Sequence, residues 1–258
     1  ATRLTNPLSD AVEVNSETGG KSVVADLGVP ESKIEVVLPG LDLDAFGGTD
    51  QRSLVRTELI VEDSEHLVLF VGRLRAVKGV EFGIRAFAKA LEQNQNMKLA
   101  LAGEGDQRSY LESLSEELGI ENNVKFLGAR KDLPNVLSAC DSVIMPSLTE
   151  GFPRVAIEAM ASAKPVIATR VGGTPEAIIH NQSGILVPSK DIEAMAGAIV
   201  NVANNSELAN RLGSAARERT EQHYSASKYV TRLDEMYTRL AGLSEHDSSF
   251  APVQGAEQ

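Results

Sequence analysis

The stretch "LVLFVGRLRAVKGVEFGIRAFAKALEQ", Leu67–Gln93, decides the fold. It opens with five apolar residues, turns through glycines and cations, and closes on an amphipathic helical pattern. A run apolar at every position has no solvent face, so Leu67–Val71 is expected to be a strand buried on both sides. The pattern then recurs along the chain. Met97–Ala102 precedes "RSYLESLSEELG", Val124–Leu127 leads to "DLPNVLSAC", and Ser142–Met145 leads to a helix carrying Glu158. Lys164–Thr169 is followed by "TPEAIIH". Apolar strands alternating with amphipathic helices predict a doubly wound α/β domain with a Rossmann-like parallel sheet.

Three more helices are expected, over Asp191–Val202, Glu207–His223 and Ala226–Leu240. At the other end, "AVEV" reads as a strand and "ETGGKSVVADLG" as a helix, too little for a domain of its own. Residues 1–33 are expected to be the remnant of another domain or a linker. The last eighteen residues, 241–258, lack periodicity and read as a flexible tail.

Composition narrows the function classes. The 258 residues are 42% hydrophobic and 24% charged, as in soluble globular proteins, with a formal net charge of -11. No basic stripe offsets that charge, so nucleic acid is not an expected partner. No run of 18 apolar residues occurs, and a cytoplasmic location is expected. The lone cysteine, Cys140, has no second thiol or nearby histidine and reads as a buried structural thiol.

In open α/β sheets ligands bind beyond the carboxyl ends of the strands. Here those turns are "GRLRAVKG", "GEGD", "GARKD", "PSLTEGFP" and "RVGGTPE". Glycines, cations and acids therefore gather on one edge, which suits a phosphate-bearing ligand. Arg73 and Lys78 bracket the first turn, spaced to clamp a diphosphate. As two isolated cations they would read as solvated charge, and four other ligand-like turns reverse that preference.

The helix after "PSLTEGFP" raises a separate question, because Glu158 lies among Ala156, Ile157, Ala159 and Met160. A carboxylate in apolar surroundings needs a partner. With Pro153 at the first helical position, Glu158 lies about 7–8 Å along the axis. Its side chain leans back toward the N-terminus, where it can accept two hydrogen bonds from a ribose diol. Glu150, in the loop before the helix, would face a second polyol. The plainer alternative is an Arg154–Glu158 ion pair and a surface Glu150.

Three motifs are set aside. "GGKS" at Gly19–Ser22 resembles a P-loop but lacks the earlier glycine and a clear strand–loop–helix order. "GEGDQR" has Arg108 where a dinucleotide fingerprint needs its third glycine. "DLD" at Asp42–Asp44 sits in a turn, and the four histidines are scattered.

Together these residues resemble the C-terminal, donor-binding domain of retaining group 1 glycosyltransferases of the GT-B fold. The resemblance runs from about Ile34 to Leu240. "FVGRLRAVKG" is similar to the family's G-R-x(4)-K-G clamp, and "EGFPRVAIEAMA" to its E-x(7)-E region. "VVLPGLDLDAF", "LALAGEG" and "VKFLG" match further elements, although the usual asparagine after Pro39 is absent.

The resemblance implies a nucleotide-diphosphate sugar as donor substrate, with no cofactor and no required metal. Arg73 and Lys78 would hold the diphosphate, Glu158 the ribose, and Gly103 with Phe126, Leu127 and Gly128 the base, with Gly72 also among the nucleotide-sugar-binding residues. Glu150 would meet the sugar beside Gly151 and Phe152. Arg73, Lys78 and Glu150 would carry catalysis. The family's acceptor-binding N-terminal domain is missing here, so this chain alone is expected to be incomplete for catalysis. Any peripheral membrane association would run through that missing domain. The competing reading is a non-catalytic nucleotide-sugar-binding module, or a subunit whose partner chain supplies the acceptor site.

Overall fold

A computed structural model describes residues 9–46 and 51–242. Among the described residues there are eight strands: β1 Val12–Val14, β2 Ile34–Val36, β3 His66–Val71, β4 Met97–Ala102, β5 Val124–Gly128, β6 Ser142–Met145, β7 Val166–Thr169 and β8 Ile185–Val187. The helices are α1 Glu17–Leu27, α2 Arg52–Leu59, α3 Val80–Leu91, α4 Arg108–Glu117, α5 Leu133–Ala139, α6 Arg154–Ala161, α7 Thr174–Ala177, α8 Ile192–Asn204, α9 Ser206–His223 and α10 Ala226–Leu240.

Six strands form one parallel sheet in the order β5-β4-β3-β6-β7-β8. Alternate residues of each strand feed opposite cores. Val68 and Phe70 pack with Ile84, Phe87 and Ile199 on one face. Leu67 and Leu69 pack with Val136, Ile157 and Met160 on the other. Burial on both faces is why these strands read as unbroken apolar runs, and the α/β expectation holds.

The order has one reversal. From β3 the chain adds β4 and β5 on one side, then returns to place β6 on the other side of β3. The turns after β3 and β6 are therefore neighbours at a topological switch point, where such sheets bind ligands.

β1, α1 and β2 form a small separate β–α–β unit. Its two parallel strands pair with each other, Val12 opposite Ile34 and Val14 opposite Val36. Helix α10 returns to this unit, where Arg239 makes a two-armed contact with Glu35 at 2.9 and 2.8 Å. The "GGKS" segment needs a correction: strand and helix do occur in P-loop order, but only Asn15 and Ser16 connect them. Gly19 and Gly20 lie inside α1, so no phosphate loop exists. The "DLD" turn closes on itself, the amide of Asp44 donating to Asp42 at 3.2 Å.

Other expectations shift. Helix α7 covers four residues rather than the whole of "TPEAIIH", because Ile178 turns extended and enters the core. Pro153 is the N-cap of α6 rather than its first helical residue. Strands β2 and β8 and helix α2 are additions to the elements read from sequence. Cys140 is fully buried and its thiol is pushed up to about 12 by that burial. The tail read at 241–258 falls outside the described residues after Gly242. No helix among the described residues is long and apolar enough to cross a membrane.

Candidate functional site

A cleft of about 210 Å³ opens at the switch point, lined by Gly72, Lys78, Ser147, Glu150, Phe152 and Arg154 among others. A roomier groove of about 570 Å³ lies beside α1 and β2, away from the strand ends. The smaller cleft lies at the strand ends and holds Lys78 and Glu150 together, so it is the candidate site.

Lys78 closes a short 3-10 turn after β3. Its ammonium lies 2.5 Å from Oε1 of Glu150, whose side chain is only 9% exposed. The Ser147 hydroxyl donates to the same oxygen at 2.7 Å. Thr169, buried at the end of β7, donates to the Ser147 carbonyl at 2.5 Å and fixes that turn. One cation and one acid of the sequence reading, Lys78 and Glu150, thus meet directly.

Close backbone approaches build the rest. A Cβ on Gly103 would stand 1.8 Å from the Gly72 carbonyl oxygen, so this turn admits only glycine. Gly103 also bridges Gly128, which brings the ends of β3, β4 and β5 together. Phe126 lies beneath the Arg108 guanidinium, 5.8 Å from ring centroid to carbon, and Leu127 packs on the core. Gly172 is held equally tightly: at φ +50°, its Cβ would fall 1.6 Å from the Glu150 carbonyl oxygen. The Gly173 amide donates to the carbonyls of Glu150 and Gly151 at 3.3 and 3.2 Å. The Glu150–Gly151 backbone is thereby clamped from below.

Gly151 and Phe152 differ in exposure. Phe152 buries its ring, 5.7 Å from that of Tyr224. The amides of Gly151 and Phe152 make no hydrogen bond among the described residues, and Gly151 is exposed. Two unpartnered N–H groups at the mouth of α6 are ready donors for an anionic or polyol ligand.

Glu158 lies on α6 beyond the lining of this cleft, half-buried. Among the described residues its carboxylate has neither a hydrogen bond nor an ion pair within 4.0 Å, so the Arg154 pairing is not formed. Burial pushes its pKa up, and the nearby Arg154 charge opposes that only in part. Arg73 is exposed and unpaired among the described residues.

Sequence reasoning singled out Gly72, Lys78, Glu150 and Phe152, which converge here. It passed over Ser147, Thr169, Gly172 and Gly173. A serine in a turn or a threonine at a strand end carries no signal until its partner is known. The glycines were visible in "RVGGTPE", but the carbonyls they admit were not.

The family model described as "Glycosyl transferases group 1" matches residues 52–219. An uncharacterized glycosyltransferase of Methanocaldococcus jannaschii is 35% identical over 80% of this chain and 54% of its own length. The D-inositol 3-phosphate glycosyltransferase of Corynebacterium urealyticum is 32% identical over 92% of this chain and 58% of its own. The chain thus spans little more than half the length of these relatives. Among solved structures, Anabaena HepE in complex with UDP and glucose superposes with a TM-score of 0.84 at 27% identity, covering 94% of this chain and 66% of that one. The chain belongs to the group 1 glycosyltransferases of the GT-B fold.

Proposed function

We propose that the chain is the donor-binding part of a glycosyltransferase that moves a hexosyl group from a nucleotide-diphosphate sugar to an acceptor with retained configuration. The observation that carries this is the meeting of Lys78, Glu150 and two unpartnered amides at the switch point. Arg73 and Lys78 take the diphosphate, and Glu158 the ribose hydroxyls. The base lies against Gly103 and Phe126–Gly128, and Glu150 faces the sugar. Catalysis rests on positioned cations and amides that stabilise the departing diphosphate. In the ligand-free protein Glu150 neutralises Lys78; an arriving diphosphate competes for that ammonium and frees Glu150 to accept from a sugar hydroxyl.

Residues 34–240 form the donor-binding domain in this reading, and residues 1–33 are a remnant of the acceptor-binding domain or a linker, with β1 pairing to β2 across that boundary. The isolated chain is expected to show no transfer at an enzyme-like rate, because an open half-site neither orients an acceptor nor excludes water. Robust transfer by the 258 residues alone, followed with UDP-glucose and simple acceptors, would contradict this.

The complex of Anabaena HepE makes a uridine nucleotide the first ligand to test. UDP and UDP-glucose are expected to raise the melting temperature and NADH to leave it unchanged. Glu158→Ala is expected to weaken both uridine ligands alike, by roughly tenfold. Wild-type affinity should also fall on acidification, since the raised Glu158 pKa brings its protonation, and the loss of an acceptor, to a higher pH than for an ordinary glutamate. Equal affinities for mutant and wild type would remove Glu158 from the site.

A further inference from the structure

We propose that Glu176 is a positioning residue, which seats the N-terminus of α1 against the Glu150–Gly151 loop and so fixes the loop's carbonyls and free amides. The proposal rests on reading that loop as the one that meets the donor sugar.

Glu176 stands in α7, just beyond the Gly172–Gly173 turn. Its Oε2 accepts from the amide of Glu17 at 2.8 Å, and its Oε1 from that of Thr18 at 2.9 Å. These are the first two amides of α1, which have no partner inside their own helix. A helix start ordinarily takes its cap from the residue before it, and Ser16 does accept from Gly19 at 2.9 Å. The two remaining donors are satisfied instead by a carboxylate about 160 residues away, from another part of the fold. Charge complementarity adds to the geometry, because a carboxylate favours the positive end of a helix.

Both ends of the contact are fixed. Arg219 holds the main chain of α7, donating to the carbonyls of Glu176 and Ala177 at 2.8 Å each. The Tyr224 hydroxyl reaches the Glu176 carbonyl at 3.3 Å, and the Tyr224 ring packs on Phe152. On the α1 side, Ser16 is fully buried, and its hydroxyl donates to the Gly151 carbonyl at 3.2 Å. A Cβ on Gly173 would lie 2.3 Å from that carbonyl oxygen and 3.2 Å from the Ser16 Cβ, so the layers touch without a gap. Glu176 therefore determines where Ser16 sits, and Ser16 with the Gly173 amide determines where Gly151 points. Burial raises the Glu176 pKa but the Thr18 and Glu17 donors outweigh it, so the carboxyl sits below the usual glutamate range, as a charge-bearing cap should.

A plain structural cap and a positioning residue differ in what they change. Glu176→Ala, Ser16→Ala and the double variant are made in the 258-residue chain, with UDP and UDP-glucose affinities measured by calorimetry. Each single variant is expected to weaken UDP-glucose by about fivefold and UDP by distinctly less. The double variant should be little worse than either single one, because both act through the same contact. Glu176→Gln, which keeps one accepting oxygen, should recover part of the loss. Additive losses, or an unchanged ratio of the two affinities, overturn the proposal.

If wild type binds neither ligand, the donor-binding reading fails, and amide hydrogen exchange in the ligand-free protein decides this one separately. Glu176→Ala and Ser16→Ala should both speed exchange at Gly173, which donates to the loop. Leu148, tied to the Val77 carbonyl at 2.9 Å, should exchange as in wild type. Unchanged exchange at Gly173 in the Ser16 variant overturns the link to the loop.

Discussion

Lys78→Ala is expected to weaken UDP binding by about tenfold or more and to lower the melting temperature of the ligand-free protein by a few degrees. The two effects have different origins. Affinity falls because a charged donor to the diphosphate is gone. Stability falls because Glu150, 9% exposed, is left with the Ser147 hydroxyl as its one side-chain partner among the described residues. Breaking one side of a largely desolvated pair leaves the other side's desolvation uncompensated. The double variant Lys78→Ala/Glu150→Ala should therefore recover much of the lost stability and none of the lost UDP affinity. Glu150→Ala alone should spare UDP and reduce affinity for UDP-glucose, by about one hydrogen bond to a charged group. Thermal melts and calorimetry on the three variants check this. A Lys78→Ala protein that binds UDP as wild type does would take Lys78 out of the site.

How much of this was readable in advance depends on how local the cause was. Strands such as Leu67–Val71 and Val143–Met145 announced themselves because burial on both faces forces an apolar residue at every position. Strand β8 has only three residues between "NQSG" and "PSK", so turn residues dominated its window. Helix α2, "RSLVRTEL", places Arg52, Arg56 and Glu58 within eight residues. It looks like surface until Arg56 is seen to be buried. The site divides in the same way. Placing turns at the strand ends was enough to put Lys78 and Glu150 on one edge. Their contact required the order of the sheet, with β6 returning beside β3, which no local pattern encodes. The carboxylate of Glu176 and the amides of α1 are farther apart still, and nothing in either segment points to the other.

The largest stability effect is expected away from the cleft, at Asp141→Ala, with a loss of about 3–5 kcal/mol. Asp141 sits between α5 and β6 and accepts from the Leu67 amide at 2.7 Å, from Arg52 at 2.7 Å and from Arg56 at 3.1 Å. Arg56 is 1% exposed. Its remaining contacts are the carbonyls of Ala139, Glu62 and Glu65, at 3.0, 2.5 and 2.6 Å. Its Nε makes no hydrogen bond, and the other acid within reach, Asp63 at 3.6 Å, is 92% exposed and too well solvated to replace Asp141. Removing Asp141 thus leaves a buried guanidinium without its counter-charge and takes the side-chain acceptor from the Leu67 amide, while the Asp141 amide still ties the start of β3 to β6 through the Leu67 carbonyl at 2.8 Å. Burial alone would raise the Asp141 pKa, but the Leu67 amide and Arg52 outweigh it and hold the carboxyl below the usual aspartate range. A group depressed in the folded state contributes its full stability above its unfolded pKa, about 4, and loses it as pH falls through the folded value. The penalty of Asp141→Asn relative to wild type should therefore be constant near neutrality and shrink as the pH drops below about 4. Urea unfolding of wild type, Asp141→Asn and Asp141→Ala across that range measures it. A midpoint for Asp141→Ala close to wild type at pH 7 would show that solvent, and not this carboxylate, satisfies Arg56.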